Sequence, residues 1–400
     1  MKHPSSLPVS CGIHSFQLEN EILLFSEQTR QLVRLNNSAA FIWRCYEEGL
    51  AQQDIIEALS QTFDLSRESV EKDVDSVLSE WLEQGFLGIT SPPEPEPYEA
   101  SGDTTRPDFP EPLSRACEYP FEQNYQLPGT IFRFRFTSAR LMAIAKSVLG
   151  HLEITPESLH TNVAIDVQQD AKGFFLFRNN EIADYCKSEN ELGPLLHGQV
   201  LSNTYSRTAC LLAIHAGAVS NGQECLVLPA LSGNGKSTLT AALIASGYHY
   251  GTDELVLLQP QTYRIQAIAM ALGIKTGSWN VLQAFHPDIK NLPMYQRTDG
   301  QKVRYLLPEK ALFSYGATQL QSVRALVFPT YLTDIKEPHL SRLTPAEALC
   351  RLTEAGTDMK GGLDVSRVTD IVHWISKINA YELHYSNLED AVAHIRVLLP

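Results

Sequence analysis

Residues 224–247, ECLVLPALSGNGKSTLTAALIASG, decide the architecture. Glu224 to Pro229 is a short apolar run of the buried-strand type. It passes directly into Ala230-Leu231-Ser232-Gly233-Asn234-Gly235-Lys236-Ser237, and a helical pattern then continues to Gly247. A bound phosphate needs several converging backbone N–H groups, so the chain must curl closely, present a helix N-terminus and add a cation for the outer oxygens. This segment supplies all three. Ser232, Gly233, Asn234, Gly235, Lys236, Ser237 and Thr238 are therefore the expected contacts to the phosphates of ATP, with the Ser237 hydroxyl on Mg²⁺. Ala230 stands where glycine is usual; even so relaxed, the pattern arises by chance only about 0.03 times in a chain of this length at average residue usage.

Asp253 and Glu254 follow the loop and precede the apolar run LVLL. Phosphoryl transfer from MgATP calls for one carboxylate on the metal and, for an alcohol acceptor, a second that orients or deprotonates it. Two adjacent acids at a strand edge can divide these tasks, with Asp253 read as the base and Glu254 mainly on the metal. An isolated Asp-Glu is more often a solvated turn; its place after this loop favours function. Lys275, Arg297, Lys302 and Arg304 concentrate positive charge where a developing phosphoryl charge would need it, and Lys275 and Arg304 are the two read as catalytic.

The segments HAGAV (215–219), ALSGNGKS (230–237) and GYHYGTDELVLL (247–258), in this order and spacing, resemble the kinase core of HPr serine kinase/phosphorylase and its HPr-kinase-related relatives. GIKTGSWNVLQAFHPDIKNLP (273–293) and RTDGQKVRYLLP (297–308) resemble the related branch, and the likeness covers about Leu127 to Pro400. It implies that His215 lies near the active site, that Lys236 and Ser237 serve the nucleotide, and that Asp253 and Glu254 act on metal and acceptor serine. The usual pair in that family is Asp-Asp, so Asp-Glu here leaves open which acid is the base.

Working outward, Ile22 to Phe25 and Gln31 to Leu35 read as strands, followed by helices over about Asn37–Glu48 and Gln52–Phe63. A third helix starts after Ser66, with Val70, Val74, Val77, Leu78, Trp81 and Leu82 on one face and Gly85 as its stop. LVRLNNSAAFIW (32–43), QDIIEALSQTF (53–63) and VEKDVDSVLSEWLEQGFL (70–87) resemble PqqD, a small winged-helix peptide chaperone, and the related leader-peptide recognition elements. That likeness implies that a precursor leader peptide adds a strand beside Gln31 to Leu35 and packs on Glu68 to Trp81. SPPEPEPYEASGDTTRPDFPEP, Ser91 to Pro112, has too little apolar residue to build a core and reads as a linker. Beyond it FRFRF (132–136), NVAIDV (162–167) and GFFLFRNNEIADY (173–185) read as strands, the last folded about an Asn-Asn turn.

The expected fold is thus α+β and α/β: a winged-helix domain over 1–90, a Pro-rich linker over 91–112, a sheet-rich lobe over 113–207, and a phosphate-loop α/β core over 208–400. Four hundred residues suit such a multidomain chain, and 44% hydrophobic against 20% charged residues is a globular balance. The formal net charge of −14 repels polyphosphate backbones, so nucleic acid is a poor partner. No apolar run is long enough to span a bilayer, and the first residues lack the apolar stretch of a secretory signal, so neither a membrane nor export is expected. Seven scattered cysteines without a CxxC pair favour free thiols and a cytoplasmic location. The oligomeric state is open, a homo-oligomer included. The leading expectation is an ATP- and Mg²⁺-dependent kinase acting on a Ser or Thr hydroxyl of a captured precursor peptide. A small-metabolite kinase with a structural N-terminal domain, and an ATP-binding peptide chaperone that transfers no phosphate, are the alternatives.

Overall fold

The computed structural model describes residues 8–88, 109–114, 118–155, 161–309 and 321–400. It is a mixed α/β protein with a small N-terminal domain of strands then helices and a sheet-rich remainder, as the sequence led us to expect. Two compact units form: one of Met1–Ser101, Thr344–Glu347 and Met359–Lys377, the other of Gly102–Leu343, Ala348–Asp358 and Ile378–Pro400.

In the first unit β1 (Ile13–Leu18), β2 (Glu21–Ser26) and β3 (Gln31–Leu35) make an antiparallel meander in that order. Then come α1 (Asn37–Glu47), α2 (Gln52–Phe63) and α3 (Arg67–Glu83). Asn36 and Ser66 cap α1 and α3 through their side-chain oxygens, which accept the N–H of Ala39 and Ser69. Ile22, Leu24 and Leu35 pack with Trp43, Ile55, Ile56, Val70, Val74 and Trp81 in one core. The Trp43 and Trp81 rings meet edge-on at 5.1 Å.

The second unit begins with β4 (Phe121–Leu127), β5 (Thr130–Phe136), α4 (Ala139–Leu149), β6 (Glu153–Ile154), β7 (Val163–Asp170), β8 (Gly173–Arg178), β9 (Glu181–Cys186) and α5 (Glu189–Arg207). Its six strands form one sheet in the order β6-β4-β5-β7-β8-β9. Asn179 and Asn180 take φ values of 53° and 64° between β8 and β9, the left-handed pair that a tight two-residue hairpin requires. There follow β10 (Leu212–Ile214), β11 (Ala216–Ser220), β12 (Glu224–Pro229), α6 (Lys236–Ala245), β13 (His249–Thr252), β14 (Leu255–Leu258), β15 (Ile265–Ile268) and β16 (Leu272–Lys275). After these lie α7 (Trp279–Leu282), β17 (Met294–Gln296), β18 (Lys302–Leu306), β19 (Ser322–Tyr331), β20 (His339–Arg342), α8 (Pro345–Ala355) and β21 (Thr357–Asp358). The chain closes with α9 (Val365–Ile375), β22 (Asn379–Tyr385) and α10 (Leu388–Leu398). The principal sheet is β13-β11-β12-β19-β22-β20, with β12, β19 and β22 parallel; two small sheets, β15-β14-β10-β21 and β16-β18-β17, complete it.

Four features depart from the sequence reading. β1 was not anticipated, because IHSFQL carries a single fully buried side chain, Leu18, and becomes a strand by pairing with β2. The expected sheet-rich lobe (113–207) and the expected core (208–400) are not separate bodies. Phe132, Phe134, Leu192 and Leu196 share one hydrophobic core with Leu257, Ile268, Met270 and Tyr305. Residues 91–108 of the expected linker lie outside the described residues, while its end is docked: the Leu113 N–H donates to Asp170 at 2.7 Å and Lys172 donates to the Glu111 carbonyl. Finally, Met359–Lys377, expected in the core, belongs to the N-terminal unit, where α9 packs on β1. The local pattern of α9 gives an amphipathic helix but carries no information on which sheet it covers.

β2 is buried along its whole length, Ile22 and Leu24 toward the three helices and Leu23 and Phe25 on the other face. A fragment of residues 8–88 lacks α9, so its β1 amides should exchange hydrogen measurably faster than in the full chain. Equal protection in the two would show that the meander needs no C-terminal segment.

Candidate functional site

β12 ends at Pro229 and the chain turns through residues 230–235 into α6. Gly233 and Gly235 have φ of +99° and +88°, where a side chain is strained, and a Cβ at Gly235 would also run into the Tyr385 hydroxyl. Gly217 in β11 serves close approach of a different kind, since a Cβ there would lie 2.5 Å from Thr240 Oγ1 on α6. The glycines therefore let the helix N-terminus come down on the sheet.

Lys236, the first residue of α6, is 8% exposed and Asp253, between β13 and β14, is 2% exposed. Lys236 Nζ donates to the Asp253 carbonyl and lies 3.5 Å from Asp253 Oδ1. Burial pushes the Asp253 carboxyl up to about 6; Lys236 opposes this, Glu254 adds to it, and a Ser237 hydroxyl bond also opposes it. Asp253 Oδ1 has no hydrogen-bond partner, a buried acceptor turned to whatever enters the site. Thr252 fixes the turn: its Oγ1 donates to the Ile268 carbonyl at 2.6 Å and accepts the Glu254 N–H at 3.1 Å. His215 Nδ1 lies 2.9 Å from the Glu254 carbonyl, so this nitrogen carries the proton. Burial, and then the Lys236 charge, lower the His215 pKa and keep the ring neutral.

These groups line one polar pocket of about 180 Å³, with Ser232, Gly233, Gly235, Ser237, Thr238, Glu254, Lys275, Ser278 and Arg297. Lys275 Nζ donates to Ser232 Oγ at 3.0 Å, and the Thr238 and Ser278 hydroxyls meet at 2.6 Å. The structure thus gathers His215, Ser232, Gly233, Gly235, Lys236, Ser237, Thr238, Asp253, Glu254 and Lys275. Asn234 does not line the pocket; its N–H closes the turn onto the Leu231 carbonyl at 3.2 Å. Arg304 requires correction. Its guanidinium donates to the carbonyls of Ile289 at 3.1 Å, Lys290, and Leu292 at 2.5 Å, and lies 4.5 Å from the Trp279 ring centre, outside the pocket. The arginine that lines the pocket is Arg297, just after β17, paired with Asp299 at 3.3 Å. All four cations fall within 275–304, and nothing in their spacing distinguishes the two arginines. Among the described residues no three His, Cys, Asp or Glu are grouped to hold a metal. The Asp253 carboxylate and Ser237 hydroxyl are hard oxygen donors, and together with substrate phosphates they suit Mg²⁺, which commonly takes few protein ligands.

In the N-terminal unit β3 is an edge strand, paired only with β2. Half-buried Val33, Val77 and Leu78 surround the core, and Leu82 is exposed. The family described as coenzyme PQQ synthesis protein D (PqqD) matches residues 21–87. The N-terminal domain is PqqD-like. The match begins at β2 and leaves out β1, the strand that α9 covers. Among solved structures, one titled TbiB1 in complex with the TbiA(beta) leader peptide is 23% identical, covers 22% of this chain and 100% of its own, with a TM-score of 0.21. No curated protein matches the chain. No helix among the described residues is long and apolar enough to cross a membrane.

Two substitutions separate pocket from scaffold. If the pocket takes ATP, as the sequence leads us to expect, Gly235→Ala should abolish ATP binding in calorimetry, since it strains the turn and displaces Tyr385. Arg304→Ala removes carbonyl bonds outside the pocket and should lower Tm while leaving the ATP Kd within about threefold. An Arg304→Ala protein of unchanged Tm and lost ATP affinity would return that arginine to the site.

Proposed function

We propose that the chain is an ATP-dependent phosphotransferase that acts on a hydroxyl, of Ser or Thr, in a ribosomally made precursor peptide whose leader is held by the PqqD-like domain. The observation that carries the phosphotransfer reading is the buried Asp253 Oδ1, which makes no hydrogen bond and faces Lys236 at 3.5 Å beneath a glycine turn at a helix N-terminus. The HPr-kinase-like order of the surrounding segments supports the same reading.

In this mechanism the N–H groups of the turn and the N-terminus of α6 cradle the phosphates, and Lys236 leaves Asp253 to meet their outer oxygens. Mg²⁺, when bound, supplies charge neutralisation between the phosphates, and Ser237 and Asp253 are the residues that would hold it. This exchanges the two acidic roles expected from the sequence, because Asp253 is buried beside Ser237 while half-buried Glu254 lines both the pocket and the larger cavity. Glu254 accepts the acceptor's proton as its oxygen bonds to the γ-phosphorus. The bond from that phosphorus to the bridging oxygen breaks, and its electron pair leaves on ADP. Neutral His215 holds the Glu254 backbone in place. The PqqD-like domain supports leader capture at the edge of β3, and a tethered substrate at an effective concentration of about millimolar lets a weakly selective site act on one peptide.

Glu254→Gln should retain MgATP affinity and lose transfer by at least a hundredfold, while Asp253→Asn should raise the Mg²⁺ requirement and weaken nucleotide binding. The opposite pattern at saturating Mg²⁺ would restore Asp253 as the base. For leader capture, the full chain should phosphorylate a leaderless core peptide with a KM at least tenfold above that of the whole precursor. Added free leader should inhibit the second reaction and not the first. Equal kcat/KM on both peptides would remove leader capture and leave a kinase of another acceptor.

A further inference from the structure

A second and larger cavity, about 730 Å³, lies in the same unit as the phosphate pocket. Glu254 and Arg297 line both, whereas no residue from Ser232 to Thr238 reaches the second. The two spaces therefore share a wall at the carboxylate side of the phosphate site and not along the loop. Transfer needs the acceptor to arrive on that side, because the proton acceptor and the cation facing the transferred group belong there.

The walls are held in place. Gln199 on α5 donates to Asp184 on β9 at 2.9 Å, and the His197 ring stacks on Tyr305 of β18 at 4.9 Å. Glu191 is consumed in the helix cap, accepting the N–H groups of Lys187 and Ser188. The rest of the lining joins Gln296, Thr298 and Tyr305 to apolar Leu195 and Leu201 and to the charged Lys187, Glu254 and Arg297, a mixture able to pair with peptide backbone and with polar or apolar side chains. A single hydroxymethyl group would fill a small fraction of such a volume, which is in the range that encloses ligands of many atoms.

We propose that this cavity receives the acceptor segment of the peptide, a stretch of a few residues that delivers its hydroxyl to the Glu254 and Arg297 wall that the two spaces share. The proposal rests on the phosphotransfer reading and specifies where its second substrate binds.

Gly198 provides the test. It lies in α5 on the cavity wall, and a Cβ there would meet nothing within 4 Å. Gly198→Phe therefore fills the space without disturbing the core, and Gly198→Ala is its control. The probes are γ-labelled ATP and mixed capped pentapeptides with central Ser or Thr, against a matched set with central Ala. The full-length Gly198→Phe protein should keep its Tm and ATP Kd and lose at least tenfold in labelling of the Ser and Thr peptides, with Gly198→Ala near the parent. Undiminished labelling by Gly198→Phe would overturn the cavity assignment and leave the kinase reading intact. Weakened ATP binding with unchanged peptide KM would overturn it by placing part of the nucleotide there. Absence of label on any peptide with the parent protein, beside normal ATP binding, would overturn this assignment together with peptide phosphorylation.

Discussion

The buried contact between Lys236 and Asp253 joins the start of α6 to the turn between β13 and β14, and the candidate site is organised around it. Removing both charges from water is costly, and an attraction at 3.5 Å, with the facing Oδ1 making no hydrogen bond, does not recover that cost fully. The raised Asp253 pKa expresses the same imbalance. An arriving polyphosphate would give Lys236 a better partner, and a cation beside Ser237 would do the same for Asp253. Under the proposed function, the stability forgone in this contact is available to ligand binding, in line with the tendency of shifted pKa values to gather at functional sites.

The glycines and Thr252 make that contact possible. Gly217 lets α6 settle against β11, Gly235 turns the chain beneath the Tyr385 hydroxyl, and Thr252 uses its hydroxyl both as donor and as acceptor to hold the acidic turn. His215 adds the bond to the Glu254 carbonyl. Backbone positions, more than side-chain charges, are what this framework fixes.

The shared core of the sheet-rich lobe and the rest of the second unit fixes the walls of a cavity. α5 comes from the lobe and β18 from the other half, yet both line the larger cavity, which shares Glu254 and Arg297 with the polar pocket. Separate domains would have left that space to vary with a hinge; a common core gives it fixed walls. The N-terminal unit is likewise completed by distant sequence, since Met359–Lys377 belongs to it although most of the larger unit precedes it in the chain.

Local signals carried much of this protein. The strand, glycine turn and helix around 224–247, the boundaries of α2, the Ser66 cap and the Asn179-Asn180 turn were legible because each depends on neighbours within a few residues, through periodicity, capping or left-handed backbone. The proximity of most residues of 232–238 to one another was legible too, because a tight turn brings its own members together. Tertiary structure decided the rest. Whether Arg297 or Arg304 faces the pocket depends on carbonyls at 289–292 and on the Trp279 ring. The strand identity of β1 depends on β2, and the placement of α9 on β1 depends on a contact between residues some 350 positions apart. The linear pattern records that a helix has an apolar face; the partner of that face is settled only when the whole chain competes to bury it.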